Sequence, residues 1–235
     1  MEFHAPLVRG TLINRYKRFM ADVTLEDGRT VTAHCANSGS MLSVNKPGAE
    51  VWLSPAANPD RKLKWTWEMI RIGDTLVGIN TALPNRIVED AINAGRITEL
   101  KGYATLRREV KYGKNSRIDI LLEDPKKGLC YVEIKNVTMR RDLKAGPLEF
   151  PDGVTSRGAK HLFELADMVA EGHRALMLYL AQREDGKTFE IARDIDPEYG
   201  QVLDTALKAG VEAVCYRCSV APGGIELTKS VPMAI

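Results

Sequence analysis

The stretch Ser116-Arg-Ile-Asp119-Ile-Leu-Leu-Glu123, Asp124-Pro-Lys-Lys-Gly128, Leu129-Cys-Tyr-Val-Glu133-Ile-Lys135 constrains the fold of this chain more than any other. Two strand-like runs flank a Pro/Gly turn, the pattern of an antiparallel hairpin. With Asp124 to Gly128 as the loop, Glu123 faces Leu129 and Asp119 faces Glu133. Side chains alternate along a strand, so Arg117, Asp119, Glu133 and Lys135 share one face, and Ile118, Ile120, Val132 and Ile134 share the other. One face is expected to be core and the other to carry charge. Directly opposed carboxylates repel unless something compensates them. A divalent cation such as Mg²⁺ or Mn²⁺ would do so, with Lys135 placed to reach a metal-bound water or a phosphate oxygen. A solvated sheet face on which Arg117 and Lys135 pair with the acids would do so equally.

Charge along the chain narrows the partner. The net charge is only +2, but between Lys101 and Arg117 six basic residues (Lys101, Arg107, Arg108, Lys111, Lys114 and Arg117) stand against the single acid Glu109. Further cations cluster at Arg15, Lys17 and Arg18, at Lys126 and Lys127, and at Arg140, Arg141 and Lys144. A basic approach to an acidic centre suits a phosphodiester polyanion, because cations hold the phosphates while a metal neutralises the reacting one. A merely solvated basic surface is the alternative.

Six short strand candidates occupy the first 80 residues: Leu7 to Tyr16, Phe19 to Leu25, Arg29 to Cys35, Glu50 to Leu53, Leu63 to Ile72 and Thr75 to Ile79. Turn signals such as Asp27-Gly28 and Gly73-Asp74 separate them. Regular short strands without a long helix predict a small barrel, OB-like or SH3-like. After Pro84 the spacing of Ile87, Val88, Ala91 and Ile92 predicts a helix closed by Gly95, with Glu89 and Asp90 leaving it near its middle. A strand around Leu106 to Tyr112 and the hairpin follow. The polar, Gly/Pro-punctuated segment Met139 to Asp152 reads as a mobile loop. Thr155 or Ser156 caps a helix running to Glu171, with Leu162, Phe163, Leu165, Ala166 and Val169 on its buried side. Then come a strand (Ala175 to Ala181), a helix (Pro197 to Ala209) and strands at Val211 to Val220 and Ile225 to Val231. The second part is therefore α/β, and the best domain boundary lies near Thr81 to Pro84, dividing the chain into 1–82 and 83–235.

No run approaches the roughly 20 apolar residues of a membrane span, and the N-terminus lacks the basic start and apolar core of a signal peptide, so a cytoplasmic protein without membrane contact is expected. Cys35, Cys130, Cys215 and Cys218 are too few and scattered for a disulfide framework. Cys215 and Cys218 form a CxxC on a predicted strand, where residues three apart point to opposite faces, so buried structural thiols are expected there.

The order helix, three strands bearing Asp119 and then Glu133-x-Lys135, and a helix with basic residues resembles the PD-(D/E)xK nuclease fold. Over essentially its full length the chain resembles the sugar fermentation stimulation protein A (SfsA) family. The residues carrying that match are Arg15-Tyr-Lys-Arg-Phe19, His34-Cys-Ala-Asn37-Ser-Gly39, Thr66-Trp-Glu68, Ser116-Arg-Ile-Asp119, Glu133-Ile-Lys135-Asn-Val-Thr138, Phe150-Pro-Asp152 and Arg157-Gly-x-Lys160-His161-Leu162. The resemblance implies an N-terminal OB-like β-barrel followed by a PD-(D/E)xK nuclease-like α/β domain, and a DNA-binding protein with a proposed link to maltose metabolism. It implies that Asp119 and Glu133 ligate Mg or Mn with the Ile134 carbonyl as third ligand, that Lys135 positions or helps deprotonate water, and that Asp90, or Glu89 beside it, completes the site. The superfamily's proline is replaced here by Ile118. DNA phosphates are expected at Lys114, Arg117, Arg157, Lys160 and His161, and at Arg15, Lys17 and Arg18 of the barrel. Tyr16, Phe19, Trp65 or Trp67 would stack on bases. A non-catalytic DNA-binding regulator built on the same scaffold is the alternative to a nuclease, and self-association into a homo-oligomer stays open.

Overall fold

The computed structural model describes residues 1–113 and 116–235; Lys114 lies outside the described residues. The N-terminal strands are β1 (Val8–Tyr16), β2 (Met20–Leu25), β3 (Thr30–Cys35), β4 (Glu50–Pro55), β5 (Trp65–Ile72) and β6 (Thr75–Gly78). Antiparallel ladders join β3, β2, β1, β4, β5 and β6 in that order, and a parallel pairing of β3 with β5 closes the circuit into a five-strand barrel. This is the connectivity of an OB-like barrel, one of the two architectures the strand spacing allowed. Alternation fills it: Leu12, Ala21, Val23, Ala33, Val51, Leu53, Trp67 and Ile70 point inward and are buried.

The second part begins with α1 (Pro84–Asn93) and continues with β7 (Thr105–Tyr112), β8 (Ser116–Asp124), β9 (Gly128–Val137), β10 (Leu148–Phe150), α2 (Ser156–Ala170), β11 (Arg174–Ala181), β12 (Phe189–Ile191), α3 (Pro197–Lys208), β13 (Glu212–Ala221), β14 (Gly224–Val231) and β15 (Met233–Ala234). The main sheet runs β14-β13-β11-β9-β8-β7, with β9, β11 and β13 parallel and the rest antiparallel. Helix α1 packs on one face over Ile120, Val132, Ile134, Leu176 and Leu178. Helices α2 and α3 cover the other face, over Leu121, Tyr131, Met177 and Tyr179. Both faces are therefore core, which explains the unbroken apolar run of β11. It also corrects the expectation of one charged, open face: the face bearing Glu133 lies under α2, and Ile118 packs there with Leu121 and Tyr131.

Barrel and sheet share an interface. Trp52 and Met69 of the barrel belong to the core beneath α1. The Gly78 N–H donates to the Gln182 carbonyl at 2.8 Å, an approach so close that a Cβ on Gly78 would stand 2.6 Å from Gln182 Oε1. The Met139 to Asp152 segment is pinned rather than free. β10 pairs with β12, Met139 bridges Glu149, and Arg140 donates to Asp185 and to the Gly146 carbonyl. Its polar residues read as loop because their partners lie far away in sequence. Cys215 and Cys218 do fall on opposite faces of β13, one in each core, both buried with thiols pushed well up by burial.

Candidate metal centre and nucleic-acid groove

The hairpin register is the predicted one where the strands pair, Glu123 with Leu129 and Ile120 with Val132; the ladder ends at Ile120, and Asp119 meets β9 through its side chain, at the Ile134 N–H. The loop is shorter than expected, since Asp124 also pairs with Gly128. Because β9 is an interior parallel strand, Glu133 is carried into the sheet and is only 2 % exposed. Asp119 sits nearer the rim. It accepts the Ile134 N–H at 2.8 Å and the Asn85 amide at 2.9 Å. Both acids line a cavity of about 760 Å³ with Asn85, Glu109, Ile134, Lys135, Arg108, Arg117, Arg157, Lys160 and His161.

Two acids in one desolvated place cannot both ionise freely. Burial, and then the Glu133 charge, push Asp119 up to about 6. Burial also disfavours the Glu133 charge, but His161 and Lys135 outweigh it and hold Glu133 below the usual carboxylate range. The Lys135 ammonium donates to Glu133 Oε1 at 2.7 Å, and His161 Nδ1 bonds the same oxygen. With Nδ1–H donating to the acid, Nε2 accepts from Arg157 Nε at 3.4 Å. His161 is thus buried with both ring nitrogens engaged. Its ring is engaged with Glu133 and Arg157 at the cavity wall, where it orients the acid.

Glu133 Oε2 is buried without a hydrogen-bond partner among the described residues. An orphaned carboxylate oxygen beside a second carboxylate of raised proton affinity is what a hard divalent cation satisfies, and Mg²⁺ or Mn²⁺ needs few protein ligands because it keeps several waters. No three His, Cys, Asp or Glu side chains converge on one point among the described residues. The donor set that fits is therefore Asp119, Glu133 and a backbone carbonyl, with water completing the shell.

The first-helix acid is placed elsewhere. Asp90 is paired with the N-terminal ammonium at 3.2 Å, and Glu89 with Arg108 at 3.0 Å. Neither lines the cavity. The α1 residues that do are Pro84 and Asn85, and the Asn85 Nδ2 donates to both Asp119 and Glu109 (3.1 Å). Glu109 is the acid that sequence reasoning passed over as one exception in a basic run. It lies in β7 opposite Asp119, in a gap of the ladder, with φ +53°. A non-glycine residue at positive φ inside a strand is rare and strained.

Among the expected phosphate contacts, Arg117, Arg157 and Lys160 line the cavity, the last also reaching Ser116 Oγ at 3.2 Å. Lys17 and Arg18 are exposed at the barrel's β1–β2 turn. Arg15 is largely spent on its own fold, donating to the carbonyls of Arg18, Asn37 and Gly39. Trp67 is fully buried, Trp65 is half-buried against the barrel core and Tyr16 is bonded to Asp22, while Phe19 is 52 % exposed and so the aromatic best placed for stacking. No helix among the described residues is long and apolar enough to cross a membrane.

Comparison with known proteins agrees with this architecture. Residues 13–79 match the SfsA N-terminal OB domain, and residues 82–224 match the sugar fermentation stimulation protein RE domain. The sugar fermentation stimulation protein homolog of Rhodospirillum rubrum is 59 % identical over 99 % of both chains. That of Paramagnetospirillum magneticum is 58 % identical over 99 % of this chain and 98 % of its own. Pyrococcus furiosus SfsA, solved in complex with Ca²⁺, superposes with a TM-score of 0.89 at 26 % identity over 100 % of this chain and 98 % of its own. The chain belongs to the sugar fermentation stimulation protein (SfsA) family.

Proposed function

We propose that this protein binds DNA and hydrolyses its phosphodiester bonds with the help of a divalent metal. One observation carries the reading: Asp119, Glu133 and Lys135 meet in a single cavity rimmed by Arg108, Arg117, Arg157 and Lys160, with Glu133 Oε2 unpartnered. Opposed acids held at a basic rim have an obvious use in phosphoryl chemistry, whereas a pure phosphate binder gains nothing from them. The Ca²⁺ complex of the Pyrococcus relative supports a divalent ion of some kind here; Mg or Mn is our assignment from the hard oxygen donors.

When bound, the metal supplies Lewis acidity to the phosphoryl oxygen and lowers the pKa of a coordinated water. The protein's part follows from its contacts. His161 and Arg157 fix the rotamer of Glu133, while Asn85 and the Ile134 N–H fix Asp119. Lys135, charge-paired with Glu133, is a cationic donor that orients water and offsets charge building on the phosphate. The guanidinium groups of Arg117 and Arg157 hold flanking phosphates. The relatives' name ties them to sugar fermentation, and for this chain we carry that link only as a consequence of DNA binding.

The test is a denaturing-gel assay of end-labelled single- and double-stranded DNA with Mg²⁺ or Mn²⁺, comparing the wild type with Asp119→Ala. Cleavage by the wild type that disappears in the variant supports the proposal. Intact DNA under conditions where binding is demonstrated refutes hydrolysis and leaves the scaffold as a phosphate-binding surface. Equal cleavage by both proteins refutes the metal centre.

A further inference from the structure

The acid cavity does not end at the nuclease-like sheet. Thr81, Lys135 and Asn136 line both it and a second cavity of about 300 Å³ at the junction with the barrel. That second cavity shares Ser38, Gly39, Phe150, Asp152 and Thr155 with a third, of about 580 Å³, whose far wall carries Arg15 and Arg18. Sharing walls, the three lie in a row from the acid cavity, along the junction of barrel and sheet, to Arg15 and Arg18 beside the β1–β2 turn. Its acids in the narrow middle are already neutralised or bonded, Glu149 by Arg141 and Asp152 by the Met41 N–H at 2.8 Å. Its two ends are basic.

The far end is built at a conformational cost. Lys17 and Arg18 stand at φ +49° and +65°, a region that L side chains rarely adopt, in consecutive positions. Arg15 holds the turn there through its bonds to the carbonyls of Arg18, Asn37 and Gly39. The Cys35 N–H donates to the Phe19 carbonyl at 2.9 Å. On this turn Phe19 is exposed directly after the exposed cations Lys17 and Arg18, and Arg18 lines the third cavity. Across the third cavity stands Val154, an apolar side chain 79 % exposed. Aromatic and apolar lips beside a cationic track match unpaired bases on a phosphate backbone; in a duplex the base faces are stacked and out of reach.

From this groove we infer that the protein takes single-stranded DNA, free or as the tail of a duplex, with Phe19 stacking on a base and Arg18 and Lys17 holding the strand as it passes along the domain junction to Asp119 and Glu133. The inference rests on the DNA-binding part of the proposed function and is independent of hydrolysis. In this reading a single-stranded end passes beside the barrel before a phosphate reaches the acids.

Fluorescence anisotropy in EDTA, where cleavage is absent, tests it with three probes: an oligothymidylate of about 20 nucleotides, a blunt duplex of similar length, and that duplex carrying a single-stranded tail. The expected result is that Phe19→Ala weakens binding of the oligothymidylate and the tailed duplex by about tenfold, leaves the blunt duplex unchanged, and that Phe19→Tyr restores the wild-type affinity. Arg18→Gly separates folding from binding, since it relaxes the positive φ and raises the melting temperature while weakening the single strand. Equal affinity of wild type and Phe19→Ala for the single-stranded probes overturns the inference with the proposed function intact. Failure of the wild type to bind any of the three probes overturns the proposed function with it.

Discussion

Asp119→Asn in metal-free, EDTA-treated protein is the sharpest test of the electrostatics of the acid pair. Asp119 is raised from 3.8 to about 6 by burial and by Glu133. Between those values the folded state holds a proton that the unfolded chain has released, so the wild type loses stability as pH rises through that window. Below it the loss vanishes. The gap corresponds to roughly 3 kcal/mol once the carboxylate is fully ionised, at pH 7 to 8. The amide cannot ionise. It keeps the acceptor for the Ile134 N–H but loses the Asn85 donor contact unless Asn85 flips, which costs about 1 kcal/mol. The variant should match or fall slightly below the wild type at pH 4.5 and exceed it by about 2 kcal/mol at pH 8. Urea denaturation of both proteins at the two pH values measures this, and their difference cancels every other titrating group not coupled to Asp119. Adding Mn²⁺ should invert the order at pH 8, since a ligand at 100-fold its Kd stabilises only the binding-competent wild type, by about 2.7 kcal/mol. Difference curves that stay flat with pH, or a variant less stable than the wild type at pH 8, would refute the picture of two carboxylates competing for one compensating charge.

Two further outcomes are expected. Glu109→Gly relieves a positive φ in the middle of a strand, so the melting temperature should rise by the equivalent of roughly 1 kcal/mol; a fall would show that the contact from Asn85 to Glu109 outweighs the strain. Arg183 is fully buried, with Nε and Nη2 on the Asp185 carboxylate and Nη1 on the Thr138 carbonyl, so Arg183→Ala should cost about 2–3 kcal/mol in urea denaturation by stranding the Thr138 carbonyl and leaving Asp185 with Arg140 alone. A loss below about 1 kcal/mol would mean that water replaces the guanidinium.

Local pattern alone determined a good deal of this protein. The Pro/Gly turn and the alternation next to it set the register from Asp124 and Gly128 back to Ile120 and Val132, because a slip of one residue would reverse every side chain there. Thr155, accepting the Gly158 N–H, starts α2 where the sequence places a cap. Properties that depend on what covers an element were not local, and only the tertiary structure decided them. Glu133 looks like a surface acid in one dimension and is buried because β11 and α2 close over an interior strand. The buried stripe of α2 takes in His161 and Glu164 beside Leu162, Leu165 and Met168 and leaves Phe163 exposed, because the sheet face beneath it carries Glu133, which His161 bonds, as well as apolar side chains. The first-helix acid could not be chosen by spacing, since the N-terminal ammonium that captures Asp90 and the Arg108 that captures Glu89 arrive from distant segments. Likewise the row of cavities from Arg18 to Asp119 exists only where barrel and sheet meet, and no periodicity within either encodes a surface formed between them.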